Sequence, residues 1–250
     1  MFQNIPPITR NIIIINIVVY LVTNLFNTEF LYDILSGYYP FSPKFHSWQI
    51  ITHMFMHAPW GQGGLGITHI LFNMLTLWSF GPALEQTLGE KRYLILYFLS
   101  GIGAYFLFNL WNFIEVQQVI SELEGMGTDV KAFLAGQNIS LSGNAAQVNQ
   151  QKELLASVQS TMFSPMVGAS GAVFGVVAGF ATLYPNAKLV FMFIPFPIKA
   201  KILLPIIIIA SVFLGLGGNV GGIAHFAHVG GALVGFILAS IWKKHLYRLN

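Results

Sequence analysis

Six apolar stretches, each near the length of a bilayer crossing, constrain this chain more than any other feature. They run roughly 11–26, 67–84, 93–113, 166–184, 202–216 and 223–242. A hydrocarbon core about 30 Å thick takes about 20 helical residues, and only helices or closed barrels satisfy their backbone groups in lipid. Charged residues are 8% of the chain and hydrophobic residues 55%. So few charges cannot cover the surface of a soluble domain of 250 residues, which makes lipid the expected solvent. The fold class predicted is an all-α membrane protein, a six-transmembrane-helix bundle. It forms a single domain over 1–250, with extracytoplasmic insertions at about 28–66 and 115–160.

The connections sort by charge. With six spans, Arg10, Lys91, Arg92, Lys188, Lys199, Lys201, Lys243, Lys244 and Arg248 fall on one side, and Lys44, Lys131 and Lys152 on the other. Lysine and arginine favour the cytoplasmic side, so both termini are expected there, in an integral protein of a bacterial cytoplasmic membrane. No cleavable signal peptide is expected, since the first apolar run lacks a small-residue cleavage site. The net charge of +3, without a basic cluster, gives no sign of nucleic-acid binding. Absence of cysteine excludes disulfides, thiolate metal sites and cysteine nucleophiles. No long internal repeat is evident, which disfavours an inverted-repeat transporter.

Polar residues inside the spans are costly in lipid, so each needs a reason. His69, Asn73, Ser170 and His228 lie near the same end of the second, fourth and sixth spans, which run in one direction. Ser170 stands fifteen residues before Pro185, His228 fifteen before Lys243 and His69 sixteen before Glu85. At 1.5 Å per residue these groups share one depth. Small-residue ridges accompany them: Gly171, Gly175 and Gly179 along the fourth span, and Gly231, Gly235 and Ala239 along the sixth. Packing such ridges brings two backbones close, and with them a hydroxyl and an imidazole. His69 and Asn73, spaced i and i+4, share a helix face and both offer hydrogen-bond donors. A structural pair bonding nearby carbonyls is an equal reading of those two from spacing alone.

These residues carry a family resemblance. Gly168-Ala169-Ser170-Gly171 resembles the G-x-S-G motif of rhomboid intramembrane serine proteases. Ala227-His228-Val229-Gly230-Gly231, continuing to Gly235, resembles their A-H-x-x-G-x-x-x-G motif, and His69 to Asn73 their H-x-x-x-N. The likeness covers about Trp48 to Lys243, with the motifs in family order. It implies a serine endopeptidase in which Ser170 attacks a peptide bond in or near a transmembrane segment and His228 serves as its base. The side chains of His69 and Asn73, with the Ser170 N–H, would hold the oxyanion. Gly168, Gly171, Phe174, Gly231 and Gly235 would support the site. Membrane lipid and transmembrane protein substrates would be the partners, with no cofactor and no metal.

Gln49 stands where the family often has arginine, and Phe174 where tyrosine is frequent. The stretch 115–160 is enlarged, and the glycine-dense run 215–222 reads as a pliable cap. His225, one turn before His228, is expected nearer the surface as an interface-level histidine. His53 and His57 form an i, i+4 pair, but a zinc site needs a third ligand. His57 resembles a family position that supports loop packing. The chief alternative is a catalytically inert, rhomboid-like scaffold that binds membrane helices. A histidine-using transporter of solutes or metals is a second.

Overall fold

A computed structural model describes residues 5–26, 28–60, 65–189, 197–216 and 225–246. In chain order the helices are α1 (Pro7–Leu25), α2 (Thr28–Leu35), α3 (Gln49–Thr52), α4 (Leu65–Leu88), α5 (Glu90–Gly125), α6 (Val130–Leu134), α7 (Ala145–Phe163), α8 (Ser170–Leu183), α9 (Ala200–Leu216) and α10 (His225–Leu246). A 3₁₀ turn, His53–Phe55, follows α3. The described strands are β1 (Lys188–Leu189) and β2 (Ile198–Lys199), an antiparallel pair with Lys188 opposite Lys199. The protein is an all-α membrane bundle. Among the described residues α1, α4, α5 and α10 are long and apolar enough to cross a membrane, while α8 and α9 are apolar but shorter. Residues 217–222 of the expected cap lie outside the described residues.

α8 has 14 residues, about 21 Å of helix, less than a hydrocarbon core. Its start at Ser170 is the reason. The preceding chain is extended and buried against protein, as irregular backbone at membrane depth must be. Met166 and Gly37 exchange backbone hydrogen bonds of 2.9 and 2.7 Å, and the Gly168 N–H donates to the His53 carbonyl at 3.0 Å. α8 lies against α10, α5 and α4, with α1 packed on α4 and α9 on α10.

α5 differs from the span expected over 93–113. It is one helix of 36 residues, continuing through Glu115, Glu122 and Glu124. Charge does not end a helix that still has a packing face. Val116, Val119, Ile120 and Leu123 recur at helical spacing and pack with Val130, Leu155, Val158 and Met162. The polar stretch 115–160 is thus a built hairpin with its own small core. An Asn144–Gln147 capping box starts α7, and Asp129 caps α6.

α1 is capped by another helix. Pro6 at its N-cap offers no side-chain acceptor. The Glu85 carboxylate, 3% exposed at the end of α4, accepts the Ile8 N–H at 2.8 Å. It also accepts the Thr9 N–H and hydroxyl, each at 2.7 Å. A carboxylate on the free N–H groups of a helix start satisfies both its own charge and those donors. At the same end of the bundle Lys243 donates to the Thr182 carbonyl in the last turn of α8 at 2.8 Å. Replacing Glu85 with alanine strands three donors, and we expect a loss of about 3 kcal/mol in unfolding free energy. Exposed Glu124 is the comparison: Glu124→Ala should change stability by less than about 0.5 kcal/mol in the same detergent titration.

Candidate active site

Ser170 opens α8, so the first backbone N–H groups of that helix have no partner within it and point past the serine. Gly168 enters this turn at φ +127°, a conformation that L side chains rarely adopt. A Cβ there would also stand 2.9 Å from His69 Nε2. The glycine therefore serves both the turn and the closeness of His69 to it.

Ser170 Oγ and His228 Nε2 are 2.9 Å apart. The contact of α8 with α10 sets that distance. A Cβ on Gly231 would overlap the Gly171 carbonyl oxygen, and one on Gly235 the Gly175 carbonyl oxygen. The two ridges do not mesh symmetrically, however. The small side of Gly171 faces the Ala104 methyl and that of Gly175 the Ser100 hydroxyl, both on α5. Gly231 and Gly235 of α10 thus admit the α8 backbone, while Gly171 and Gly175 of α8 admit α5. The Phe174 ring, one turn after Ser170, stacks on His228 at 4.2 Å between centroids and 2° between planes. Stacking fixes the imidazole plane without a hydroxyl contact.

His69 lies in the first turns of α4. Its Nδ1 accepts the Ala58 N–H at 3.4 Å, which leaves Nε2 as the protonated nitrogen on the side facing Gly168. The Asn73 side chain donates to the His69 carbonyl at 3.0 Å, so one amide hydrogen already has a backbone acceptor and one remains.

The segment before α4 supports this wall with polar groups that sequence reading largely missed. Gln49 is wholly buried. Its Nε2 donates to the carbonyls of Asp33 at 3.0 Å and Lys44 at 3.1 Å, and its Oε1 accepts the His46 N–H at 3.0 Å. A neutral amide knots the loop. Lys44 pairs with Asp33 at 2.9 Å, and its hydrogen bond holds that carboxyl below its ordinary value. Trp48 Nε1 donates to the Ile34 carbonyl at 2.9 Å. His53 Nδ1 donates to the Gln49 carbonyl at 2.8 Å. His57 is fully buried, its ring 5.1 Å from His69 and 6.3 Å from Tyr20. Tyr32 donates to its carbonyl. Among the described residues no group of three or more His, Cys, Asp or Glu side chains could hold a metal. His225 opens α10, at the end of the helix where an interface-level histidine is expected, and its side chain is 7% exposed against neighbouring protein.

A serine at a helix start within hydrogen-bond reach of an imidazole, beside a wall of donors, can carry nucleophilic acyl transfer. The comparisons place this fold in a known group. Residues 44–120 and 126–245 match the Rhomboid domain, and the chain belongs to the rhomboid family of intramembrane proteases. It is similar to an uncharacterised mitochondrial rhomboid protein of Schizosaccharomyces pombe, 25% identical over 218 residues, covering 79% of this chain and 52% of the relative. It is also similar to the rhomboid protease GluP of Bacillus subtilis, 27% identical over 195 residues, covering 77% of this chain and 25% of the relative. The rhomboid protease GlpG of Salmonella typhi is 32% identical over 98 residues, covering 38% of this chain and 32% of the relative. The chain thus spans from a quarter to about half the length of these relatives.

Two expectations follow. Burial lowers His53 to about 4 and His57 to about 3, from an ordinary 6.5, so both are neutral in the folded protein near pH 7. Below pH 6.5 the unfolded chain binds protons that the folded one refuses. Stability should fall as pH drops from 6.5 toward 4, with a limiting slope of about 1.4 kcal/mol per pH unit per histidine. His57→Phe should reduce that slope in unfolding titrations across the window. Gly231→Ala forces backbone against backbone and should cost about 1–3 kcal/mol. Gly125→Ala, which meets nothing within 4 Å, should be neutral or stabilising in the same assay.

Proposed function

We propose that the chain is an intramembrane serine endopeptidase working through a Ser170–His228 dyad. The 2.9 Å contact between Ser170 Oγ and His228 Nε2 carries the reading. Ser170 attacks the peptide carbonyl while His228 Nε2 takes its proton, then returns it to the leaving amine. Water, activated by the same imidazole, releases the acyl group and restores the serine. The developing oxyanion is held by the Ser170 N–H at the positive end of α8, by His69 Nε2–H and by the free Asn73 amide hydrogen. Gly168, Gly171, Gly231 and Gly235 set the approach and Phe174 the ring plane. None of these steps needs a metal or cofactor.

The substrates are transmembrane proteins, cut in or beside their spans, and the surroundings are lipid. We place both termini in the cytoplasm, with the site opening to the other side, on the strength of the lysine and arginine bias. The relatives include mitochondrial and bacterial proteins, so the family assigns a membrane rather than one compartment. A bacterial cytoplasmic membrane is the compartment we propose, and the charge bias bears on orientation. The domain reading is one rhomboid unit over 1–250 with the two insertions.

Purified protein in liposomes should cleave a model transmembrane substrate, and Ser170→Ala and His228→Ala should each lower the rate at least about 10³-fold while staying folded. His69→Phe should lower kcat about 10²–10³-fold with little change in KM. An inert wild type that also resists a fluorophosphonate would sink the protease reading and favour the helix-binding scaffold.

A further inference from the structure

Resting on that dyad, we propose that His225 is a positioning residue of the site, giving the imidazolium of His228 the acceptor that a carboxylate gives elsewhere. The dyad has an unmet need. When His228 takes the Ser170 proton it becomes a cation in a half-buried place, and its ring must keep one orientation. The helices that pack on α10 offer no acid there. α8 carries no ionisable side chain, α9 carries only Lys201 at its far end, and the acids of α5 are Glu90 at one end and Glu115, Glu122 and Glu124 along the part that packs with α7. Phe174 covers one face of the ring but accepts no in-plane hydrogen bond.

His225 meets the geometric requirement. It opens α10 three residues before His228, so both side chains lie on one face of the helix. The rings stand edge to face, 89° apart, with centroids separated by 6.3 Å. Phe226 stacks on Trp111 of α5 at 4.2 Å and 17°, which pins the first turn of α10 and with it the direction of His225. Burial leaves His225 7% exposed, and among the described residues neither ring nitrogen has a hydrogen-bond partner. Phenylalanine or leucine would fill the same space, whereas histidine brings two polar nitrogens to the side of the ring that must carry the charge. The separation exceeds a direct hydrogen bond and suits one bridging water. In the acylation step the Oγ–H bond breaks, the Oγ–carbon bond forms, and the proton rests on Nε2 of His228. The hydrogen on Nδ1 of His228 then points, through that water, to a neutral nitrogen of His225.

The test is the rate at which a fluorophosphonate modifies Ser170, read beside thermal stability and beside kcat and KM for a model transmembrane substrate. His225→Phe keeps an aromatic ring and removes the acceptor. His225→Asn and His225→Gln place a carbonyl oxygen near the former Nδ1 and Nε2 positions. A hydrogen bond to a charged group supports a loss of about tenfold in labelling rate and kcat for His225→Phe, with KM and melting temperature unchanged. One of the two amides should restore most of it. Equal labelling of wild type and His225→Phe overturns the proposal. So does an equal loss in all three variants, which marks a packing role. Wild type that is never labelled removes the dyad itself, an outcome distinct from both.

Discussion

The closeness of two backbones governs this protein. α10 can present His228 to Ser170 only because Gly231 and Gly235 let it rest on the carbonyl oxygens of Gly171 and Gly175. In lipid no hydrophobic gain drives helices together, so shape and dispersion at such a seam must do it. The α8 glycines are small for a different neighbour, α5, whose Ala104 and Ser100 fill the other side. At these four glycines the three helices meet with only a methyl group and a hydroxyl between them. Bulk added on either seam would part the backbones that set the hydroxyl against the imidazole.

The second constraint is that polar groups here need partners, and the chain finds them in backbone more often than in side chains. Gln49, Trp48, Thr52 and His53 all bond to carbonyls of the segment around α2 and α3. Glu85 bonds to the start of α1. The site is held by loops and helix ends that are themselves tied to the bundle, so His69 faces Gly168 with its tautomer already chosen by Ala58.

Sequence made much of this legible for a clear reason. A polar residue in an apolar run is conspicuous, and counting along spans of one direction put His69, Ser170 and His228 at one depth. Glycine spacing marked the seam. Composition and span length gave the all-α bundle. Other features had no such contrast. α5 runs past Phe113 because Val116 and Leu123 bury against α7, a tertiary face that a polar composition conceals. Nothing local tells that α8 starts at Ser170, since the extended approach is set by pairing with Gly37, far away in sequence. The asymmetry of the two glycine ridges, the bond that occupies Asn73 and the burial of His225 all depend on neighbours from other helices. The i, i+4 spacing of His53 and His57 suggested a pair, but the helical turn ends at Phe55, and spacing did not show that both would be buried in neutral form.

The unbroken length of α5 has a mechanical consequence. Ala104, seated against Gly171, and the Val116–Leu123 face, seated against α7, belong to one rigid rod of 36 residues. A helix resists twisting about its axis, so the azimuth of one contact dictates the other. The hairpin at the tip and the glycine seam behind the serine are keyed like two wards cut on a single shaft: α7 cannot be turned around α5 without either breaking its own core or rotating a methyl group into the backbone that carries Ser170.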